Sequence, residues 1–227
     1  VEFRGRTPAE RLPFEDGRFG LVASQFGIEY SNLARSVPEA ARVLEPGGTL
    51  ALIMHHRDSM LLQATGDELE QLRYVLDEIK LYLRARNVLR AMSDGAGRAG
   101  ETRAGNTKVA KKRRALNEAL ERIEQAARQR SNPAMLRGPA RYIQEIFSAA
   151  GRTPATELMP WLEEAQARVL ANRRRLEDMK AAARGAEDMV EMKTLMDGAG
   201  LEQIRYEPFH DHGGRLLGWQ IEAVRRL

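Results

Sequence analysis

The sequence predicts an α/β fold in which a long all-helical segment interrupts a sheet. Three observations predict it. Residues 20–54 run strand, helix, strand with short connections, residues 57–185 carry helical periodicity, and residues 201–224 return to period-two alternation.

A turn at Glu15, Asp16 and Gly17 leads into the first strand, residues 20–25, an apolar run bounded by Gly20 and Gly27 and suited to burial on both faces. Ser36 to Glu39 has capping-box spacing, with Pro38 read as lying in the first helical turn. The helix carries Ala40, Ala41, Val43 and Leu44, and Pro46-Gly47-Gly48 ends it. Residues 49–54 form the second strand. Such a βαβ unit implies a right-handed crossover and a parallel pair.

Within residues 57–185, one stripe runs Leu69, Leu72, Leu76, Ile79, Leu83, and another Leu116, Leu120, Ile123, Ala127, flanked by Glu118–Arg122 and Glu124–Arg128 pairs. A third helix is predicted with Pro160 in its first turn. Its seam is Leu162, Ala165, Val169, Asn172, Leu176, Met179 and Ala183, with Asn172 either setting register or turned outward. Shorter helices are expected near 141–149 and 187–196. Residues 93–107, rich in glycine and without a large apolar side chain, read as a mobile loop. They match no phosphate-binding loop. The final strands, 201–209 and 217–224, form an antiparallel hairpin, giving an expected spatial order of 20–25, 49–54, 217–224, 201–209.

Composition narrows the function. There is no cysteine, so thiolate chemistry, disulfides and cysteine-based zinc sites are excluded. A cytoplasmic location is the expectation, since no apolar run approaches the ~20 residues that span a bilayer and residues 1–6 do not resemble a secretory signal. The net charge of +4 permits contact with a polyanion, but acids and bases are interspersed along the chain. Charge alone speaks for nucleic acid. Lys111 to Arg114 reads as a solvated helix face, and His210, Asp211 and His212 as a solvated hairpin tip, with no metal site assigned.

Three segments resemble class I S-adenosylmethionine-dependent methyltransferases. Residues 9–24 resemble the approach to that family's fourth strand, 41–50 its helix-to-fifth-strand segment, and 198–201 with the closing hairpin its sixth and seventh strands. The resemblance implies a partial Rossmann-like methyltransferase sheet, comprising the last four strands and the terminal antiparallel hairpin, with a large all-α insertion. The core is expected over 1–56 and 186–227, and the insertion over 57–185. It implies S-adenosylmethionine as cofactor. It also implies a small-molecule acceptor, since no Asn-Pro-Pro-Tyr type motif of nucleic-acid methyltransferases follows residues 20–25. The family's glycine cluster is not found in its expected context, so the sequence is expected to be a fragment that binds the cofactor weakly or not at all. The rival is an inactive helical interaction module on a degenerate methyltransferase frame. The insertion is expected to cover the cleft or form a homodimer contact.

Ligands of open parallel sheets sit beyond the C-terminal strand ends, which places Ser24, Gln25, Phe26, His55 and His56 there. The resemblance assigns Thr7, Ala9 and Glu10 to the adenine side, with Pro8 standing where the family commonly has an acidic residue, and Ser24 and Gln25 to the methionine side. Phe26 and Tyr30 would wall the reactive centre, an aromatic face favouring a sulfonium charge. His55 and His56 are candidates to orient or deprotonate the nucleophile. Because neighbouring residues leave a strand on opposite sides, only one faces the cleft easily.

Overall fold

The structure is a computed structural model that describes residues 3–96 and 103–227. It contains β1 (Phe19–Gln25), α1 (Leu33–Val43), β2 (Leu44–His55), α2 (Met60–Arg73), α3 (Leu81–Ala96), α4 (Arg103–Arg128), α5 (Ala134–Ala149), α6 (Ala155–Ala182), α7 (Ala186–Gly198), β3 (Leu201–His210) and β4 (Leu216–Arg225). Two compact units divide the chain, one of Val1–Thr65 with Glu177–Leu227, the other Gly66–Leu176.

In the first unit the strands lie in the order β1-β2-β4-β3, as expected from the sequence. β1 and β2 are parallel, and β4 runs antiparallel to both its neighbours. β2 begins earlier than residue 49. Phe19 pairs with Leu44 and Leu21 with Thr49, so Glu45 to Gly48 bulge out of the ladder, with Gly47 at φ +81°. One sheet face is apolar because alternate residues of β2 and β4 (Leu50, Leu52, Met54; Trp219, Ile221, Ala223) point the same way. α1 and α7 supply Val37, Ala40, Ala41, Met189, Met192 and Met196 to that core. The opposite face leaves Leu21 59% exposed.

α1 starts at Leu33, a turn before the predicted cap. Ser36 is buried inside the helix, where its hydroxyl donates to the Ser31 hydroxyl at 2.7 Å while that of Ser31 donates to the Ile28 carbonyl. Pro38 thus sits in the helix interior. The carbonyl that loses its usual donor is that of Ala34, an exposed residue.

The second unit is helical. Val75, Ile79, Ala85, Leu89, Leu116, Ile123, Leu136, Ile143, Leu158 and Leu162 build its core. The stripe from Leu69 to Leu83 is not one helix: a π-helical turn at Tyr74–Glu78 and Lys80 at φ +54° break it, leaving Leu83 49% exposed. α6 begins at Ala155, so Pro160 is again interior, one turn after Thr156, an exposed residue. Asn172 is half-buried, donating to Met135 Sδ at 3.4 Å and accepting from Arg175, so it meets α5 rather than turning away. The segment predicted as a loop over 93–107 is helical at both ends, within α3 and α4. Residues 97–102 of that loop lie outside the described residues. No described helix is long and apolar enough to cross a membrane.

Within the first unit, the residues that follow β2 meet those that precede α7. Arg184 N–H donates to the His55 carbonyl and Arg57 N–H to the Arg184 carbonyl, each at 2.9 Å, a short parallel bridge beside His56. Arg57 also pairs with Glu187 and Asp188 in the first turn of α7, where acidic side chains suit the helix dipole. The residues on either side of this bridge are therefore both fastened to the C-terminal end of β2.

Candidate active site

The parallel register prepares the site. Gln25 pairs with Ile53, and Phe26 N–H donates to the Ile53 carbonyl at 2.7 Å. The chain then turns sharply. Phe26 adopts φ +49°, and Ser24 Oγ accepts the Ile28 N–H at 3.0 Å, closing a loop into the 3-10 turn Ile28–Tyr30. That turn drives Glu29 inward beside the end of β2.

Glu29 and His55 form a buried pair. Glu29 Oε1 accepts the His55 backbone N–H at 3.1 Å and stands 2.7 Å from His55 Nδ1. As a carboxylate Glu29 can only accept, and Nδ1 then carries the hydrogen between them. This leaves Nε2 as the basic nitrogen of neutral His55. The Glu29 side chain has no exposed surface and that of His55 only 6%. Glu29 Oε2 is buried and has no hydrogen-bond partner among the described residues, an uncommon condition that calls for an explanation. Around the imidazole stand Phe26, with ring centroids 4.6 Å apart, and Tyr30, edge-on at 5.8 Å and half-exposed.

His56 points elsewhere, as the alternation of neighbouring residues requires. Its ring stacks on Trp219 at 4.6 Å, and its Nδ1 accepts the Asp58 N–H at 2.9 Å, so neutral His56 carries its proton on Nε2. Burial pushes its pKa below the ordinary histidine value. The two neighbours thus hold opposite tautomers on opposite sides of one strand end.

The residues assigned to cofactor contact separate into groups. Phe26 joins Tyr30 and His55. Ser24 Oγ is engaged by the Ile28 N–H, and Gln25 is exposed. Glu10 Oε1 accepts the N–H of Asn32, the residue preceding α1, at 2.8 Å, and that bond holds its carboxyl below the usual pKa. Thr7 hydrogen-bonds locally to the Gly5 carbonyl at 3.5 Å, and Ala9 is half-buried. At the hairpin tip, Asp211 accepts from Gly213 N–H, Arg215 N–H and the Arg215 guanidinium. Among the described residues no group of three or more His, Asp or Glu is placed to hold a metal.

Sequence reasoning missed Glu29. A signal existed: extending the register of Gln25 and Ile53 by two residues sets Gly27 beside His55, so a turn beyond Gly27 must pass over the imidazole. What could not be read was which side chain of that turn faces inward.

Residues 5–52 match the family model described as a methyltransferase domain. Over 53 residues, 23% of this chain, the sequence is 40% identical to uncharacterized methyltransferases of Mycobacterium tuberculosis (strain H37Rv) and Mycobacterium bovis. The chain spans 22% of the length of those curated relatives. The crystal structure of the YcgJ protein from Bacillus subtilis superposes with 13% identity, covering 96% of this chain and 69% of that one, at a TM-score of 0.26, too loose to bear on the fold. The part of the chain that matches the methyltransferase domain model is the segment that builds β1, the Phe26–Tyr30 turn, α1 and most of β2.

Proposed function

We propose that the chain carries the acceptor side of an S-adenosylmethionine-dependent methyltransferase acting on a small molecule. The observation that supports this most is a coincidence of place. The family match over residues 5–52 contains the turn that gathers Phe26 and Tyr30 about His55 at the C-terminal strand ends, the location where open parallel sheets bind ligands.

Two aromatic faces and a buried carboxylate suit a cationic sulfonium, which is drawn to the negative face of a ring. Bound there, S-adenosylmethionine would supply an electrophilic methyl group. Phe26 and Tyr30 hold and shield that position, and exclusion of water by their rings favours displacement over hydrolysis. Ser24 shapes the turn through its bond to Ile28, and Glu10 positions α1 through Asn32. Those two commitments are what support the rival reading, an inactive frame, because they draw polar groups away from a nucleoside.

Saturation-transfer NMR tests the cofactor reading, since it detects ligands bound only at millimolar strength. The expected result is saturation of the S-methyl and flanking protons of S-adenosylmethionine. The uncharged S-adenosylhomocysteine should give weaker transfer, and Phe26→Ala should lose it. No transfer to either ligand overturns cofactor binding by this chain.

A further inference from the structure

Glu29 has a property that architecture alone does not require. Its Oε1 receives two donors, the backbone and ring N–H groups of His55, while Oε2 is buried with no partner among the described residues. A glutamine could accept the same two hydrogen bonds through its own Oε1. The His55 backbone N–H would hold that oxygen in place, because the alternative orientation sets an NH2 against an N–H. What glutamine cannot supply is negative charge. A carboxylate in a water-poor site, satisfied on one oxygen only, is costly unless a positive charge arises beside it. The group placed to become positive is the His55 imidazole. Its Nδ1 faces Glu29, which leaves Nε2 as the nitrogen free to take a proton, and the Phe26 and Tyr30 rings flank the imidazole.

We infer that Glu29 and His55 are a proton-accepting pair for a hydroxyl acceptor, with His55 Nε2 taking the O–H proton and Glu29 positioning the ring and balancing the imidazolium. This rests on the methyltransferase reading and deepens it by naming the acceptor class. The acceptor oxygen forms a bond to the methyl carbon as the carbon–sulfur bond breaks, and that electron pair stays on sulfur. The hydroxyl proton passes to Nε2 and from there to water. Thiol and carboxylic acceptors are largely ionised or readily ionised and gain little from a base. A neutral amine attacks with its own lone pair. A hydroxyl, barely ionised near neutrality, gains most. His56 cannot substitute, because its Nδ1 is occupied by the Asp58 N–H and its ring is stacked on Trp219.

The first measurement needs no turnover. Long-range 1H–15N correlation of the histidine side chains, at a pH where they are neutral, should show His55 protonated on Nδ1 and His56 on Nε2. Glu29→Gln should keep the His55 tautomer, and Glu29→Ala should lose it. An Nε2-protonated His55 in the unsubstituted protein overturns the inference. The second measurement follows labelled methyl from S-adenosylmethionine into a mixture of phenols, aliphatic alcohols, aromatic amines and thiols. Labelled ethers are expected. Glu29→Gln should lower kcat on the order of 100-fold with the acceptor KM little changed, although its tautomer is intact. N- or S-methylated products, or an unchanged kcat, overturn the pair. Saturation transfer from bound S-adenosylmethionine with no labelled ether also overturns it while leaving the cofactor reading standing. Loss of that binding signal sinks the cofactor reading itself.

Discussion

Phe26 is held in a conformation that L-residues rarely adopt, with φ +49°, at a cost of roughly 1 kcal/mol. Two contacts retain it: its N–H bonded to Ile53 and its ring against His55. Strain kept at such a place marks a position the fold over-determines. Gly218 answers it from β4. A Cβ there would stand 3.3 Å from Phe26 Cε1 and closer still to the Met54 carbonyl, and the second neighbour is backbone and cannot swing aside. Gly218→Ala should therefore destabilise the protein by about 1–3 kcal/mol, read by urea denaturation; a neutral result would show the β2–β4 pair to be softer than its spacing implies. His56 adds a pH dependence. Burial lowers its folded pKa, so the unfolded chain binds the proton more readily, and stability falls as pH drops below the ordinary value of 6.5 toward the folded one. Thermal melts of His56→Gln should lose this acid-side slope, and an unchanged slope would assign it to another group.

At the scale of elements, α1 is set by a latch remote in sequence. Arg42 donates to the carbonyls of Leu12 and Phe14 and to the carboxylates of Asp16 and Glu39, tying residues 12–16 along the helix. Glu39 in turn accepts the Leu12 N–H at 2.7 Å. The Arg42 guanidinium is the main reason the Glu39 pKa falls to about 2. Because the folded value lies below the ordinary 4.5, the latch contributes fully above that value and is lost as pH falls toward about 2. Glu39→Gln should lower the melting temperature near neutrality and flatten its decline between those limits. An equal decline in both proteins would refute the latch. This is also why Ser36 and Glu39 misled as a capping box: the spacing is right, but Glu39 serves a loop residue and the helix starts earlier. Pro38 and Pro160 misled for a related reason, since a proline inside a helix is tolerable where the residue one turn back is exposed.

The two units rest on separate apolar clusters, one between the sheet and α1 and α7, the other among the helices of the second unit. Leu52 and Ile123 are each 1% exposed, one in either core. Leu52→Ala and Ile123→Ala should each cost about 2–5 kcal/mol. Amide exchange should locate the loss, in β1, β2 and β4 for the first and in α3, α4 and α5 for the second. Loss of protection spread evenly over the whole chain in either variant would argue against two cores.

The strands, their order and the helical stripes expected between residues 57 and 185, outside the loop expected over 93–107, were legible in the sequence because each depends on a short-range period and on short connections. The π-turn and the break at Lys80 within one of those stripes were not, since apolar spacing is blind to backbone φ. His55, Phe26 and Tyr30 were foreseen as neighbours of the strand ends, for strand position places them there. Tertiary structure alone decided what those residues do to one another. Glu29 reaches His55 across 26 positions of sequence, through a turn whose inward residue is chosen by the φ of Phe26 and the bond from Ile28 to Ser24. It also decided that Glu10 and Ser24 spend their oxygens on backbone N–H groups. A period is written in consecutive residues; a partnership between distant polar groups exists only once the sheet register has brought them within hydrogen-bond reach.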